Sequence, residues 1–269
     1  MILLFLILSL ICIIQPPILF ENKITIIIPF RNRLKELTKL LSNLNRFLPL
    51  EYTIIVVNQE DTYRFNRGAL LNIGFLHALP CTNVLFHDVD LIPLNNCEYI
   101  YSPNNLKSRS AKVPFNISKR LDKSLGVGGA IKMSCQDFMI INGFSNRFWG
   151  WGREDDEFLT RLESFNIGLS IDTPIRTDRW CSYYHDHDSK ERPRDMVRYR
   201  GQLKDMSRAE GHIDSGLINL KYTVQSAVNI SVDNVKAQVI SISLDCNLLD
   251  QPWCQHHIGV KRIRSKSGK

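Results

Sequence analysis

Four short stretches of this 269-residue chain concentrate side chains that do chemistry. The first is His87-Asp88-Val89-Asp90, directly after the apolar Val84-Leu85-Phe86. In extended backbone, residues i and i+2 point the same way, so both aspartates are expected on one side of a strand end. Paired carboxylates at such a place suit a divalent cation holding phosphate oxygens, although aspartate also caps turns. The second stretch is His185-Asp186-His187-Asp188. Two imidazoles at i and i+2 can clamp one metal ion, and an aspartate from the first stretch completes an N2O donor set. Such a set suits Mn²⁺ and leaves coordination positions open for a diphosphate.

The third stretch is Phe148-Trp149-Gly150-Trp151-Gly152-Arg153-Glu154-Asp155-Asp156-Glu157, just ahead of an amphipathic run carrying Phe158, Leu159, Leu162 and Phe165. Four acids at a helix start are favoured by the helix dipole, which accounts for one or two of them. It does not account for two tryptophans set between glycines. A tryptophan on a flexible glycine loop offers a face on which a sugar stacks, and a neighbouring carboxylate can serve as general base. Glu154, Asp155 and Asp156 share one helical turn and point in different directions, so spacing does not choose among them. The fourth stretch joins Pro29-Phe30-Arg31-Asn32-Arg33 to Phe65-Asn66-Arg67. Arginines at strand ends bind diphosphate, and aromatic rings pack on a base.

These groups need a scaffold, and the hydrophobic pattern supplies one. Ile24–Ile28, Thr53–Val57 and Val84–Phe86 read as buried strands. Between them, Leu34, Leu37, Leu41, Leu44 and Leu48 recur at helical spacing, and Asn66–Leu79 reads as a second helix. Apolar strands alternating with helices predict a parallel sheet covered on both faces, with the ligand crevice at the strands' carboxyl ends. Residues 96–125 read as loop, and Gly126, Gly128 and Gly129 precede an apolar run. Tyr222–Val232 and Gln238–Leu244 alternate like antiparallel strands. No repeat or linker is visible, so a single domain is the economical organisation.

The compartment is also legible. Residues 2–20 carry no charge, the length of a signal-peptide core or membrane anchor, although Pro16 and Pro17 break a helix there. Asn116-Ile117-Ser118 and Asn229-Ile230-Ser231 are glycosylation sequons. Beyond Cys12 lie six cysteines; Cys246 and Cys254 bracket a short loop suited to a local disulfide, while the pairing of Cys81, Cys97, Cys135 and Cys181 is open. Composition, at 44% hydrophobic and 23% charged, excludes disordered, collagen-like and coiled-coil classes. A net charge of +7 suits an anionic ligand, but no basic, aromatic-interleaved motif points to nucleic acid.

Together the four stretches resemble the β-1,4-galactosyltransferase family, over about Ile24 to Cys254. The carrying strings are Pro29–Arg33, Phe65–Arg67, Phe86–Asn95, Asn142–Phe158, His185–His187 and Asp245–Cys254. Arg153 and Pro252-Trp253-Cys254 favour the xylose-directed branch, the xylosylprotein 4-β-galactosyltransferases, over the N-acetylglucosamine-directed one. The resemblance implies a GT-A fold: a single α/β domain over 21–259 whose Rossmann-like, mostly parallel sheet is flanked by helices. A signal-anchor or signal peptide would occupy 1–20 and a basic tail 260–269. It implies a type II Golgi membrane protein with a luminal catalytic domain. Mn²⁺ would sit on Asp90, His185 and His187. UDP-galactose would be lined by Pro29, Phe30, Arg31, Asn32, Arg33, Phe65, Asn66, Arg67, Val89, Asp90, Trp151, His185, His187 and Arg194. The acceptor, xylose on a proteoglycan core protein, would meet Trp151, Arg153, Glu154, Asp155 and Asp156, with Asp155 as base in an inverting transfer. Two positions depart from the family: Gly126 stands where relatives carry tyrosine, and Asp186 separates the histidines in place of an apolar residue. The rival readings are an N-acetylglucosamine acceptor and a catalytically dead sugar-binding protein.

Overall fold

A computed structural model describes residues 23–95, 110–112, 129–167, 169–171, 182–187, 189–199, 214–256 and 262–263. The apolar segment 1–20, the loop 96–109, Gly126, Cys97, Cys181, the Asn116 sequon and most of the 260–269 tail lie outside these residues. Among the described residues, no helix is long and apolar enough to cross a membrane.

The chain begins with β1 (Ile24–Phe30), α1 (Leu34–Leu44), β2 (Tyr52–Gln59), α2 (Arg67–Ala78) and β3 (Asn83–His87). β2, β1 and β3 pair in parallel, as the alternation of apolar strands and helices predicts. Short strands β4 (Leu91–Asn95), β5 (Ser110–Lys112) and β6 (Ala130–Ser134) follow, then α3 (Cys135–Ile140), α4 (Glu154–Ser164), β7 (Leu169–Ile171), β8 (Ser182–His185) and β9 (Arg198–Tyr199). β10 (Tyr222–Val232) and β11 (Val235–Leu244) form a long hairpin, and β12 (Arg262–Ile263) pairs with β9.

The main sheet has eight strands in the order β10-β11-β2-β1-β3-β6-β5-β7. It is mixed, a correction to the mostly parallel expectation. The apolar run after the glycine cluster becomes β6 and returns antiparallel to β3, while the hairpin inserts β11 parallel to β2 and leaves β10 antiparallel outside it. The parallel centre survives because its strands are buried on both faces. Ile24, Ile26 and Ile28 of β1 face Leu37, Leu40, Leu41 and Leu44 of α1. Ile27 faces the opposite layer, where α2, Phe138, Phe144 and Phe158 form the larger core cluster. Each fully buried leucine contributes about 1.5–3 kcal/mol by leaving water. Leu34, expected on this apolar face, is instead 70% exposed as the first residue of α1.

α2 lies close on the sheet. A Cβ added at Gly74 would run into the side chains of Ile27 and Val57. Asn66 caps the helix by accepting from the Ala69 N–H at 3.0 Å, which fixes where Arg67 starts. Cys81–Cys135 ties the end of the α2–β3 connection to the start of α3, and Cys246–Cys254 closes the local loop as expected.

In α4 the first-turn acids divide by helical geometry. Glu154 and Glu157 fall on the buried face with Phe158, Arg161 and Leu162. Arg161 is fully buried; its guanidinium donates to Glu157 at 2.7 Å and to the carbonyls of Gly143 and Ser215 at 2.9 Å each. One side chain therefore fastens α4 to the 141–143 turn and to Ser215. Removing one partner of a buried ion pair strands the other charge and typically costs about 3–5 kcal/mol. Arg161→Met is expected to lower urea-unfolding stability by that amount; a loss below about 1 kcal/mol would contradict the anchoring role.

Candidate active site

The parallel register brings the carboxyl ends of β1 and β3 side by side, with Ile27 opposite Phe86. Arg33 follows β1, and Asp88 to Asp90 follow β3. The tripeptide turns instead of continuing extended: the Leu91 N–H donates to the Asp88 carbonyl at 3.2 Å. The expectation that both carboxylates share one face is therefore corrected, and the two have different partners.

Asp90, 8% exposed, is the hub. Its Oδ2 accepts from Arg33 Nη1 at 2.6 Å and lies 3.5 Å from His185 Nε2 and 3.6 Å from His187 Nδ1. β4 and β8 form an antiparallel ribbon that pairs Leu91 with His185, so the strand following Asp90 carries the histidine to it. The Asp186 N–H then donates to the Asp90 carbonyl at 2.7 Å, which sets His187 next in line. The two imidazoles stack at 5.4 Å between centroids. Asp186, the departure from the family pattern, turns its carboxylate to Lys39 of α1 at 2.8 Å.

This set fits a divalent ion. Asp90, His185 and His187 offer one oxygen and two nitrogens within 4.8 Å of one another. The Nε2 of His187 is buried without a hydrogen-bond partner, a polar atom that a ligand would satisfy. Burial, and then Arg194, push the His187 pKa down and favour the neutral ring that ligates metal. Hydrogen bonding from His185 and the charge of Arg33 outweigh the burial of Asp90 and hold its carboxyl well below the usual range.

Asp88 instead accepts from Arg67 Nε at 2.7 Å, and Glu154 lies 3.7 Å from Arg67 Nη1. Arg67 Nη1 and Nη2 and Glu154 Oε2 are buried without hydrogen-bond partners. Burial and the neighbouring Asp155 push Glu154 up to about 7. Asp155 is half-buried, and burial raises its pKa as well, against the pull of Arg67. Asp156 is exposed and pairs with Arg153 at 3.2 Å. Arg153 holds φ +82°, a left-handed conformation that non-glycine residues seldom adopt and that concentrates at functional sites.

The two loop tryptophans part company. Trp149 is 3% exposed and donates through Nε1 to Gln251 at 2.8 Å. Trp151 is 43% exposed, with the Arg194 guanidinium 4.5 Å from its ring centroid. A residue pair that the motifs did not single out seats this loop. Arg64 is buried and donates through Nε to Asp195 at 2.6 Å, and the Asp195 carbonyl accepts from the Trp151 N–H at 3.0 Å. Gly150, at φ +88°, has no room for a Cβ against the Arg64 guanidinium. The only sequence signal was Arg64's place beside the Phe65–Arg67 string.

Other predicted site residues are placed as follows. Arg31 donates to the carbonyls of Gln59, Tyr63 and Asp61 at 3.1, 2.7 and 3.1 Å, and packs on Phe65, so it braces the loop after β2. Pro29 and Phe30 end β1, and Asn32 takes φ +51° at the turn into α1. Val89 is 4% exposed and packs in the smaller core cluster. Asn66 is buried as the α2 cap. Thus Arg33, Asp90, His185 and His187 form one cluster, Arg67, Asp88, Glu154 and Asp155 a second, and Trp151 with Arg194 a third. The charges of Asp90 and His185 reach Asp88, and that of Asp88 reaches Glu154, so the first two adjoin.

Family models for the N-terminal region of glycosyl transferase group 7 and for the N-terminal domain of galactosyltransferase match residues 14–103 and 112–186. Human beta-1,4-galactosyltransferase 7 is 35% identical over 241 residues, covering 87% of this chain and 71% of the human one. Xylosylprotein 4-beta-galactosyltransferase of Caenorhabditis elegans is 29% identical, with 82% of its length covered. The catalytic domain of Drosophila beta-1,4-galactosyltransferase 7, solved with xylobiose, superposes with a TM-score of 0.78 at 30% identity, over 87% of this chain and 99% of that one. A mutant of the fly enzyme was solved with manganese, UDP-Gal and xylobiose and superposes at 0.77. With the GT-A-like fold shared across nearly the whole fly domain and the human relative matched over most of its length, the chain belongs to the β-1,4-galactosyltransferase family, group 7 of the glycosyl transferases.

Proposed function

We propose that this chain is an inverting galactosyltransferase that moves galactose from UDP-galactose to the 4-hydroxyl of xylose on a proteoglycan core protein. The observation that carries the reading is the convergence of Asp90, His185 and His187, linked to Trp151 through Arg194 and to Asp155 through Asp88 and Arg67. The relatives described above, named for galactosyl transfer and solved with UDP-Gal and xylobiose, support both substrates. The two disulfides and the apolar stretch at 2–20 support a lumenal site reached through the secretory route, and a Golgi membrane anchor follows as part of the same reading.

Asp90, His185 and His187 would hold Mn²⁺, which supplies a Lewis acid and a template for the leaving diphosphate. Arg33, already bonded to Asp90, and Arg194 add positive charge on the same side. Asp155 takes the proton of the xylose 4-hydroxyl as that oxygen attacks the anomeric carbon opposite the departing diphosphate. Of the three acids in that turn it alone suits the task by position. Glu154 is buried against Arg67, and Asp156 faces solvent beside Arg153. Trp151 offers its exposed ring to the sugar and, by covering it, excludes water that would hydrolyse the donor.

The acceptor is tested with a panel of monosaccharide glycosides supplied with UDP-galactose and Mn²⁺. Transfer to β-xylosides is expected; transfer to N-acetylglucosaminides alone would reassign the acceptor, and no transfer at all would favour a sugar-binding protein. Asp90→Ala and His187→Ala are each expected to abolish Mn²⁺-dependent transfer while thermal unfolding stays cooperative. Full activity of either variant at ordinary Mn²⁺ concentration would overturn the ligand set.

The base assignment makes two further claims. Asp155→Asn keeps shape but cannot accept a proton, so turnover should fall by about 10²–10⁴-fold with donor binding retained. Near-normal turnover in that variant, with loss in Asp156→Asn or Glu154→Gln, would move the base along the helix. Because burial raises the Asp155 pKa, its carboxylate is ionised only above a value higher than that of an ordinary aspartate. The kcat/KM profile should therefore decline on acidification at a higher pH than an aspartate with the ordinary pKa of about 3.9 would give. A profile flat down to about pH 4 would contradict this.

A further inference from the structure

We propose that Asn229 carries an N-linked glycan, and that this glycan covers the open edge of the main sheet. Asn229-Ile230-Ser231 is a complete acceptor sequon on β10, the outermost strand, whose other side pairs with nothing among the described residues. β10 is 11 residues long and exposed over most of its length, with Val224 at 44% and Val228 at 53%. An edge of this length, bearing apolar side chains, is a template for pairing with another chain unless something blunts it.

The local geometry suits the modification. Ile230 and Val232 pack against the smaller core cluster, so Asn229 and Ser231, alternating with them, point to the other face. Both are exposed, and so are Lys236 and Gln238 on the neighbouring strand. The Asn229 carboxamide makes no hydrogen bond among the described residues. The strand ends at Val232, one residue beyond Ser231, at a tight turn in which Asp233 and Asn234 take φ of +46° and +69°. The sequon thus projects near the tip of a hairpin, on the face opposite α1, whose Ser42 hydroxyl bonds Asp233 at that tip.

The position also leaves catalysis undisturbed. Asn229 is level with Gln238, then Ile55, Ile27 and Phe86 across successive strands. Four strand spacings place it about 19 Å from β3, on which the metal cluster is built. The inference rests on the lumenal reading given above, because the co-reactant is a lipid-linked oligosaccharide diphosphate found in that compartment. In the transfer, the sugar's bond from C1 to the diphosphate oxygen breaks and a bond from C1 to Asn229 Nδ2 forms. The lipid diphosphate leaves, and the amide proton passes to a base of the separate lumenal enzyme that transfers the oligosaccharide.

The test is translation of the full chain with microsomes in an Asn116→Gln background, so that the remaining sequon alone reports. A protease-protected product whose mobility shifts by one glycan on peptide-N-glycosidase treatment is expected. The shift should vanish in Asn229→Gln and in Ser231→Ala, and persist in Ser231→Thr. A protected product without the shift overturns the glycan assignment. An unprotected product overturns the lumenal reading and the glycan with it. For the covering role, purified Asn229→Gln protein should sediment as larger species than the glycosylated chain at equal concentration, with kcat and KM unchanged within about twofold. Identical sedimentation would refute the cover.

Discussion

The site depends on one buried carboxylate. Asp90 is nearly out of solvent, and an ionised carboxylate so placed persists only if positive or hydrogen-bonding groups surround it. Arg33 comes from the end of β1, and His185 and His187 come from the end of the β4–β8 ribbon. Each part of the architecture serves that meeting. The parallel β1–β3 register sets Arg33 beside Asp90, and α1 packs beneath through its leucines. The ribbon folds back from the residue after Asp90 to deliver both imidazoles. A shift of one residue in the ribbon would turn His185 to the opposite face.

A second buried group, Arg67, organises the acidic side. It starts α2, which Gly74 lets lie close on the sheet, and it neutralises Asp88 while approaching Glu154. Because Arg67 and Arg161 draw Glu154 and Glu157 inward, Asp155 and Asp156 are left facing the site and solvent. Four consecutive acids thus acquire separate environments from helical periodicity and from the two arginines on the buried face. Environment, not residue type, then distinguishes them: one is buried by an arginine, one half-buried, one solvent-paired and one structural. The Trp151 loop is seated in the same economical way, with Arg64 and Asp195 holding its backbone and leaving the indole ring exposed.

Much of this was legible in the sequence. Ile24–Ile28, Thr53–Val57 and Val84–Phe86 read as strands because covering on both faces demands unbroken apolar runs. Asn66–Leu79 read as a helix, and the structure starts it there through the local side-chain cap of Asn66. The metal set followed from donor types, since two histidines at i and i+2 and a strand-end aspartate have few other uses together. What stayed hidden was tertiary. No local pattern says that β6 returns antiparallel, because Ala130–Ser134 is too short to carry a direction. Asp88 and Asp90 looked paired under strand alternation, but the turn at Leu91 separates their partners. Arg31 looked like a phosphate ligand, whereas it braces three carbonyls. The Arg64–Asp195 pair spans 131 residues, and the left-handed backbone of Arg153 leaves no trace in residue type.

The central claim is that one aspartate and two histidines from distant segments hold a single manganese ion. Electron spin-echo spectroscopy of the Mn²⁺-loaded protein reads this directly, because nitrogen nuclei of coordinated imidazoles modulate the electron spin. The account predicts modulation from two imidazole nitrogens, reduced to one in His185→Ala and in His187→Ala. A bound ion showing no nitrogen coupling, or coupling unchanged in both variants, would contradict it.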